Sequence, residues 1–242
     1  MCPPSGGCGK TSPSTPEART GPTRSSTVAA VLQRQLAERE SAGTTTRIRT
    51  AHVAALKTLE DFNLEHLPSP RRDVLAHLAT GTFAPKAKNV LLLRPPGIGK
   101  TCLANGLGVK AAQAGYSVLF DTANNWISRL TAAHHAGQLD AELKKIHRYE
   151  LIIIDEVGYI PFDQDAENQF FQLVAGRYEQ GSMMVTSNLP FGRWGETFSD
   201  DVLAAAMIDR LVHHAGVLTL TGDSYRTLAR RELLAKDNRA AE

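Results

Sequence analysis

A three-layer α/β sandwich built on a mostly parallel five-stranded sheet is the fold class this 242-residue sequence predicts. Short aliphatic runs alternate with helical segments from about Lys86 onward, and the runs are apolar without interruption, as strands buried on both faces must be. One of the runs also leads into a glycine-containing loop and then a helix, the local order of a phosphate-binding unit.

The runs are "NVLLL" (89–93), "SVLF" (117–120), "LIIID" (151–155), "SMMVT" (182–186) and "GVLTL" (216–220). Helical spacing predicts helices over 101–114, 125–147, 166–179 and 200–214 between them. In such sheets ligands collect at the carboxyl ends of the strands.

The segment before this core has a different character. Residues 1–27 hold five Pro, four Gly, five Ser and five Thr, so they bury too little apolar surface to offset the entropy of ordering. Within them "PSGGCGKT" (4–11) mimics a phosphate loop, but no strand precedes it and no periodic helix follows. Val28, Val31, Leu32 and Leu36 recur at helical spacing to about residue 40, "SAGTTT" reads as a turn, and a further helix is expected from Pro70 to Leu78. The predicted organisation is a largely disordered segment with one short helix (1–46), a helical linker (47–85), a nucleotide-binding domain (86–235) and a tail (236–242).

A 42% share of apolar residues suits a globular core. No apolar run approaches the roughly 18 residues of a membrane span, and the N-terminus lacks a secretory apolar region, so a cytoplasmic protein without a membrane partner is expected. The three cysteines (Cys2, Cys8, Cys102) are too few and scattered for a disulfide framework. Net charge is +2, yet residues 1–50 carry seven Lys/Arg against three Asp/Glu, leaving the rest at −2. That basic excess is weak evidence for nucleic acid.

The chemistry concentrates in "LRPPGIGKTC" (93–102). Glycine lets consecutive amides turn toward a polyphosphate, and the following helix adds its positive end. The expected cradle is Arg94, Pro95, Pro96, Gly97, Ile98, Gly99, Lys100, Thr101 and Cys102. Lys100 is expected to bridge the outer phosphates of a nucleotide and the Thr101 hydroxyl to complete the Mg²⁺ shell. A plain glycine turn is the bland alternative. It does not explain "LIIIDE", where Asp155 is placed to hold Mg²⁺ and Glu156 to orient a water for phosphoryl transfer. Arg94 stands where the pattern has its first glycine, so a weakened but not abolished site is expected.

Two further residues are weaker candidates. Asn188, ending "TSN", lies where a polar group meets the γ-phosphate or the lytic water, although "SNLP" is also ordinary turn composition. Arg210, in "MIDRLVHHAG", is suited to stabilise a transferring phosphoryl group across a subunit boundary, although a surface ion pair is the commoner use of such a residue. The pairs His134–His135 and His213–His214 invite a metal reading, which is rejected because neighbours on a helix point about 100° apart. Trp126, Trp194, Tyr159 and Tyr225 are read as packing residues.

With these pieces placed, the chain resembles the IstB-like ATP-binding proteins, transposition helper ATPases of insertion sequences related to DnaC-type helicase loaders within the AAA+ class. The resemblance runs from about Leu56 to Arg226 on "LKTLEDFNLEHLP", "NVLLLRPPGIGKTCLANGLGVKAAQAGYSVLF", "LIIIDEVGYIPFDQDAENQFFQLVAGRYEQGSMMVTSN" and "FGRWGETFSDDVLAAAMIDRLVHHAGVLTLTGDSYR". It implies a P-loop NTPase of AAA+ type, with Lys100 and Thr101 on ATP·Mg²⁺ and Asp155 and Glu156 as the second acidic motif. Asn188 is then the sensor and Arg210 the inter-subunit arginine. It further implies ATP-dependent homo-oligomers on double-stranded DNA, target selection and stimulation of a cognate transposase. Arg94 and a shortened N-terminal helical region depart from the family pattern. Two alternatives stay open: a loader of a replicative helicase, and a non-hydrolysing DNA- or partner-binding module from a decayed transposon copy. Arg47, Arg49, Arg193 and Arg226 are the candidate DNA contacts, being basic and at segment edges.

Overall fold

The computed structural model describes residues 24–53, 59, 69–93, 96–97, 99–159, 161–198 and 200–219. The chain divides into two units, Met1–Ser41 and Ala42–Glu242. In the first, the described residues are the leading part of helix α1 (Arg24–Thr50), with Arg34 paired to Glu38 one turn on at 3.1 Å. Disorder is expected over residues 1–27; residues 1–23, with the decoy loop, lie outside the described residues, whereas 24–27 open helix α1 instead.

The second unit begins within α1. The sequence placed a helix over 28–40 and a turn at "SAGTTT"; one helix instead runs through both to Thr50. Its glycine and threonines are weak helix formers, but tertiary contact overrides propensity. Arg47 donates from Nε to the Ala112 carbonyl (3.0 Å) and from Nη2 to Thr44 Oγ1 (3.0 Å), and Ile48 packs on the core.

The order that follows is α2 (Ser69–Ala79), β1 (Asn89–Leu93), α3 (Lys100–Gln113), β2 (Val118–Thr122), α4 (Ala123–His135), α5 (Leu139–Ile146), β3 (Leu151–Val157), α6 (Gln164–Arg177), β4 (Ser182–Ser187), α7 (Asp201–Val212) and β5 (Ala215–Thr219). All five strands are parallel in the spatial order β2-β3-β4-β1-β5. The expected strands stand within two residues at each end. The expected helix over 125–147 is two, because Gly137 takes a left-handed φ of 65° and breaks it into α4 and α5.

Residues alternate between the two faces of the sheet. Val90, Leu92, Val118, Leu151, Ile153 and Met184 pack with Leu75 of α2 and Leu103 and Leu107 of α3. Leu91, Leu119, Ile152, Ile154, Met183 and Val185 pack on the other face with α4, α6 and α7, through Trp126, Phe170 and Met207. This is the expected three-layer αβα sandwich. It explains why the strands carry no polar alternation. Trp126 and Trp194 are fully buried, with indole N–H groups donating to the carbonyls of Ile153 (3.0 Å) and Leu189 (3.4 Å), as the packing reading requires, whereas Tyr159, read the same way, is 68% exposed.

Polar side chains start the helices of the second face. Thr122 accepts from the Asn125 amide, Asp163 from Ala166, and Asp200 from Val202 and Leu203, each satisfying amides that the first turn leaves free. Asn89, buried at the start of β1, donates from Nδ2 to the Leu211 carbonyl (3.0 Å) and accepts from the Met183 amide (3.0 Å). It fastens the end of α7 to the amino edge of the sheet.

Candidate nucleotide site

Three elements deliver the candidate residues to the carboxyl edge of the sheet. The loop after β1 reaches α3 through Gly97 (φ 91°) and Gly99 (φ 79°), both left-handed conformations that a side chain resists. Gly99 is also the N-terminal cap of α3, and its carbonyl accepts from the Leu103 amide at 2.9 Å. Lys100 follows as the first helical residue and is 6% exposed. Thr101 and Cys102 are half-buried in the same turn, and Pro96 is exposed. Arg94, Pro95 and Ile98 lie outside the described residues.

The second element is the end of β3. Asp155 is 2% exposed, and its carboxylate accepts from the Thr186 hydroxyl on the neighbouring strand β4. Glu156 is exposed and holds a left-handed backbone (φ 64°), where the pairing of β3 with β4 shifts between Ile154 and Val157. Its amide donates to the same Thr186 oxygen at 2.9 Å. A non-glycine residue in this conformation costs free energy that the surroundings must offset, and such residues gather at functional sites.

The third element is the residue after β4. Lys100 Nζ donates to Asn188 Oδ1 at 2.6 Å, so the loop lysine and the sensor candidate meet directly. With Oδ1 accepting from the ammonium, the Asn188 NH₂ remains a donor for an anionic group.

Arg210 lies elsewhere. It is near the end of α7, next to Leu211, whose carbonyl is held by Asn89 at the start of β1. That is the amino edge of the sheet, opposite the loop that follows β1. The guanidinium donates to the Ala206 carbonyl (2.9 Å) and sits 5.0 Å over the Phe171 ring.

Thr186 is the residue that the sequence reading passed over. The signal was a hydroxyl two residues before Asn188, one of three in β4, and its partners are fixed by β3 lying beside β4. Two candidate DNA contacts are already engaged: Arg193 makes a two-pronged pair with Glu196 (2.7 and 2.7 Å), and Arg47 is held against Ala112. Arg49 is exposed, and Arg226 and Tyr225 lie outside the described residues.

The donor chemistry fits a magnesium ion. A buried carboxylate is costly unless compensated, and among the described residues no cationic side chain pairs with Asp155. A hydroxyl and a carboxylate beside a phosphate cradle are the hard oxygen donors that Mg²⁺ takes.

A strand, a glycine-turned loop, a buried lysine and an acid-tipped strand one place beyond β4 define a P-loop NTPase fold. The family model for IstB-like ATP binding proteins matches residues 14–233, and the chain belongs to that family. It is 40% identical over 201 residues to the insertion sequence IS21 ATP-binding protein of Pseudomonas aeruginosa, covering 83% of this chain and 76% of that one. It is 37% identical over 201 residues to the IS5376 ATP-binding protein of Geobacillus stearothermophilus, covering 83% and 80%. Among solved structures, the DnaC helicase loader superposes with a TM-score of 0.60 at 14% identity, over 69% of this chain and 98% of that one. AMPPCP-bound DnaA from Aquifex aeolicus gives 0.59 at 17% identity over 71% of this chain, which spans about half (52%) of that one. These likenesses establish the αβα fold. Among the described residues no helix is long and apolar enough to cross a membrane.

Proposed function

We propose that this protein is a DNA-stimulated ATP hydrolase that assembles with ATP on double-stranded DNA and assists the transposase of its own insertion sequence. The observation that carries the enzymatic part is the meeting of Lys100 and Asn188 at 2.6 Å on the sheet edge that also bears Asp155 and Glu156. Family membership and the names of the insertion-sequence relatives support the biological part.

In this reading Lys100 exchanges Asn188 for the outer phosphates, and the Asn188 NH₂ turns toward the γ-phosphate. Thr101 and Asp155 would hold Mg²⁺, which would supply positive charge to offset that of the phosphates. Glu156 accepts a proton from the attacking water as the new P–O bond forms; the bond to the β-phosphate oxygen breaks, and ADP and phosphate leave. Arg210 acts on the ATP of a neighbouring copy.

The test is ATP binding and hydrolysis, with and without duplex DNA, for the native chain, Arg94→Gly and Lys100→Ala. Native turnover above the Lys100→Ala background, raised by DNA, supports the proposal. DNA binding without turnover in either the native chain or Arg94→Gly sinks the hydrolase reading in favour of a non-hydrolysing module. Activity in Arg94→Gly alone identifies a damaged cradle.

A further inference from the structure

The two surface turns at the amino edge of the sheet hold a cluster that the nucleotide site does not use. Helix α6 ends at Arg177 and is followed by Tyr178 and Glu179; helix α7 ends at Val212 and is followed by His213 and His214. The rejection of a histidine pair as a metal site assumed both residues on a helix, 100° apart. That holds for His134 and His135, whose rings are 6.1 Å apart at the end of α4. It fails for His213 and His214, which occupy the turn beyond α7 with ring centroids 4.2 Å apart.

We propose that Glu179, His213 and His214 form a surface site for a divalent transition-metal ion, Zn²⁺ being the ion the donor set fits best. One ligand atom from each of the three lies within 4.8 Å of the others. His214 Nε2 and Glu179 Oε1 are 3.2 Å apart, close to the roughly 3.3 Å edge of a tetrahedral zinc shell. All three side chains are exposed, and the two remaining edges, both to His213, span no more than 4.8 Å, a gap that side-chain rotation in solvent is suited to narrow. Two imidazoles and one carboxylate are a zinc set that leaves a fourth position for water, whereas magnesium and calcium take oxygen donors alone.

The surroundings favour a cation. The ends of α6 and α7 both adjoin the cluster, each carrying the partial negative charge of a helix C-terminus. Tyr178 Oη is 2.7 Å from His213 Nδ1; when Nδ1–H donates to it, Nε2 is left as the metal donor. Of the cations nearby, Arg210 is drawn onto the Ala206 carbonyl and the face of Phe171, with Asp209 offsetting it, and Arg177 is turned inward onto the carbonyls of Ile146, Tyr149, Glu150 and Ser182.

The experiment is calorimetric titration of the full chain with Zn²⁺ alone, with Cys2, Cys8 and Cys102 changed to serine so that thiolates do not compete. One equivalent is expected to bind. Affinity should fall at least about 10-fold in His213→Gln and in Glu179→Gln, by a similar factor in Tyr178→Phe, and not at all in His134→Gln. Glu179→Gln, at an exposed residue, and Tyr178→Phe, at a half-buried one, are shape-conserving changes that keep the test open where a histidine variant does not fold. A titration that shows no zinc uptake, or uptake equal in the parent chain and the His213→Gln/His214→Gln double variant, overturns the proposal.

Discussion

Thr186 ties both acidic residues to the next strand through one hydroxyl. It donates to the Asp155 carboxylate and accepts the Glu156 amide. Valine has nearly the same shape and removes both interactions, leaving a buried carboxylate without its hydrogen bond and a strained backbone without its anchor. Thr186→Val is therefore expected to lower kcat roughly 10- to 100-fold while ATP affinity stays near native, with Thr186→Ser restoring most of the rate. Steady-state kinetics beside nucleotide titration checks this, and an unchanged kcat in the valine variant would remove Thr186 from the machinery. Glu156→Gln separates the acids: the exposed side chain is expected to be needed for turnover alone, so ATP binding persists while the rate drops on the order of 10²-fold or more. Lys100, Asp155 and Glu156 were legible in the sequence because strand-then-loop-then-helix and strand-then-acid are local patterns. Thr186 was not. Its role depends on β3 and β4 being neighbours, a long-range pairing that no local spacing encodes.

Between elements, the least expected feature is a buried arginine with no acidic partner among the described residues. Arg177, at the end of α6, is 1% exposed and donates to the carbonyls of Ile146 (3.2 Å), Tyr149 (2.8 Å), Glu150 (3.2 Å) and Ser182 (2.9 Å). It thus clamps the end of α5 and the approaches to β3 and β4. Burial pushes its pKa down to about 10, so it keeps its charge at neutral pH. Arg177→Met strands these carbonyls and is expected to cost roughly 3–5 kcal/mol in urea unfolding, with Arg177→Lys recovering only part because an ammonium lacks the planar fork. Next to it, His147 has its pKa lowered by partial desolvation of a ring packed on Gly176, and further by the Arg177 charge. The folded chain then binds fewer protons than the unfolded one as pH falls below about 6.5, so stability is full above that value and is lost toward acid. His147→Gln should flatten that acid limb in pH-dependent thermal unfolding; an unchanged limb would assign it elsewhere. Helix α3 carries a related constraint: a Cβ at Gly106 would meet the Leu59 backbone nitrogen at 2.9 Å. Helix propensity alone favours Gly106→Ala by about 1 kcal/mol, so a measured loss of stability instead reports that close approach. The strand and helix periods were readable in the sequence, but the α4–α5 break at Gly137 and the length of α1 were set by backbone conformation and by docking.

Across the whole molecule, the sheet separates two sets of candidate residues. Lys100, Asp155, Glu156 and Asn188 belong to its carboxyl edge, while Asn89 fixes the Leu211 carbonyl, and with it the neighbourhood of Arg210, at the amino edge. An arginine on the far side of a parallel sheet has no route to its own chain's phosphates. If it serves hydrolysis it must serve a second copy's, and head-to-tail contact places one copy's amino edge against the next copy's carboxyl edge. The arrangement predicts complementation. Lys100→Ala chains lack a working cradle but still offer Arg210; Arg210→Ala chains keep the cradle and lack the arginine. Each alone is expected to be nearly inactive on DNA, and an equal mixture should regain up to roughly a quarter of native ATPase activity, since about that share of random interfaces joins an intact cradle to an intact arginine. Activity in the mixture no greater than the mean of the separate variants, with mixed assembly confirmed by sedimentation, would leave Arg210 to its contacts with Ala206 and Phe171 alone.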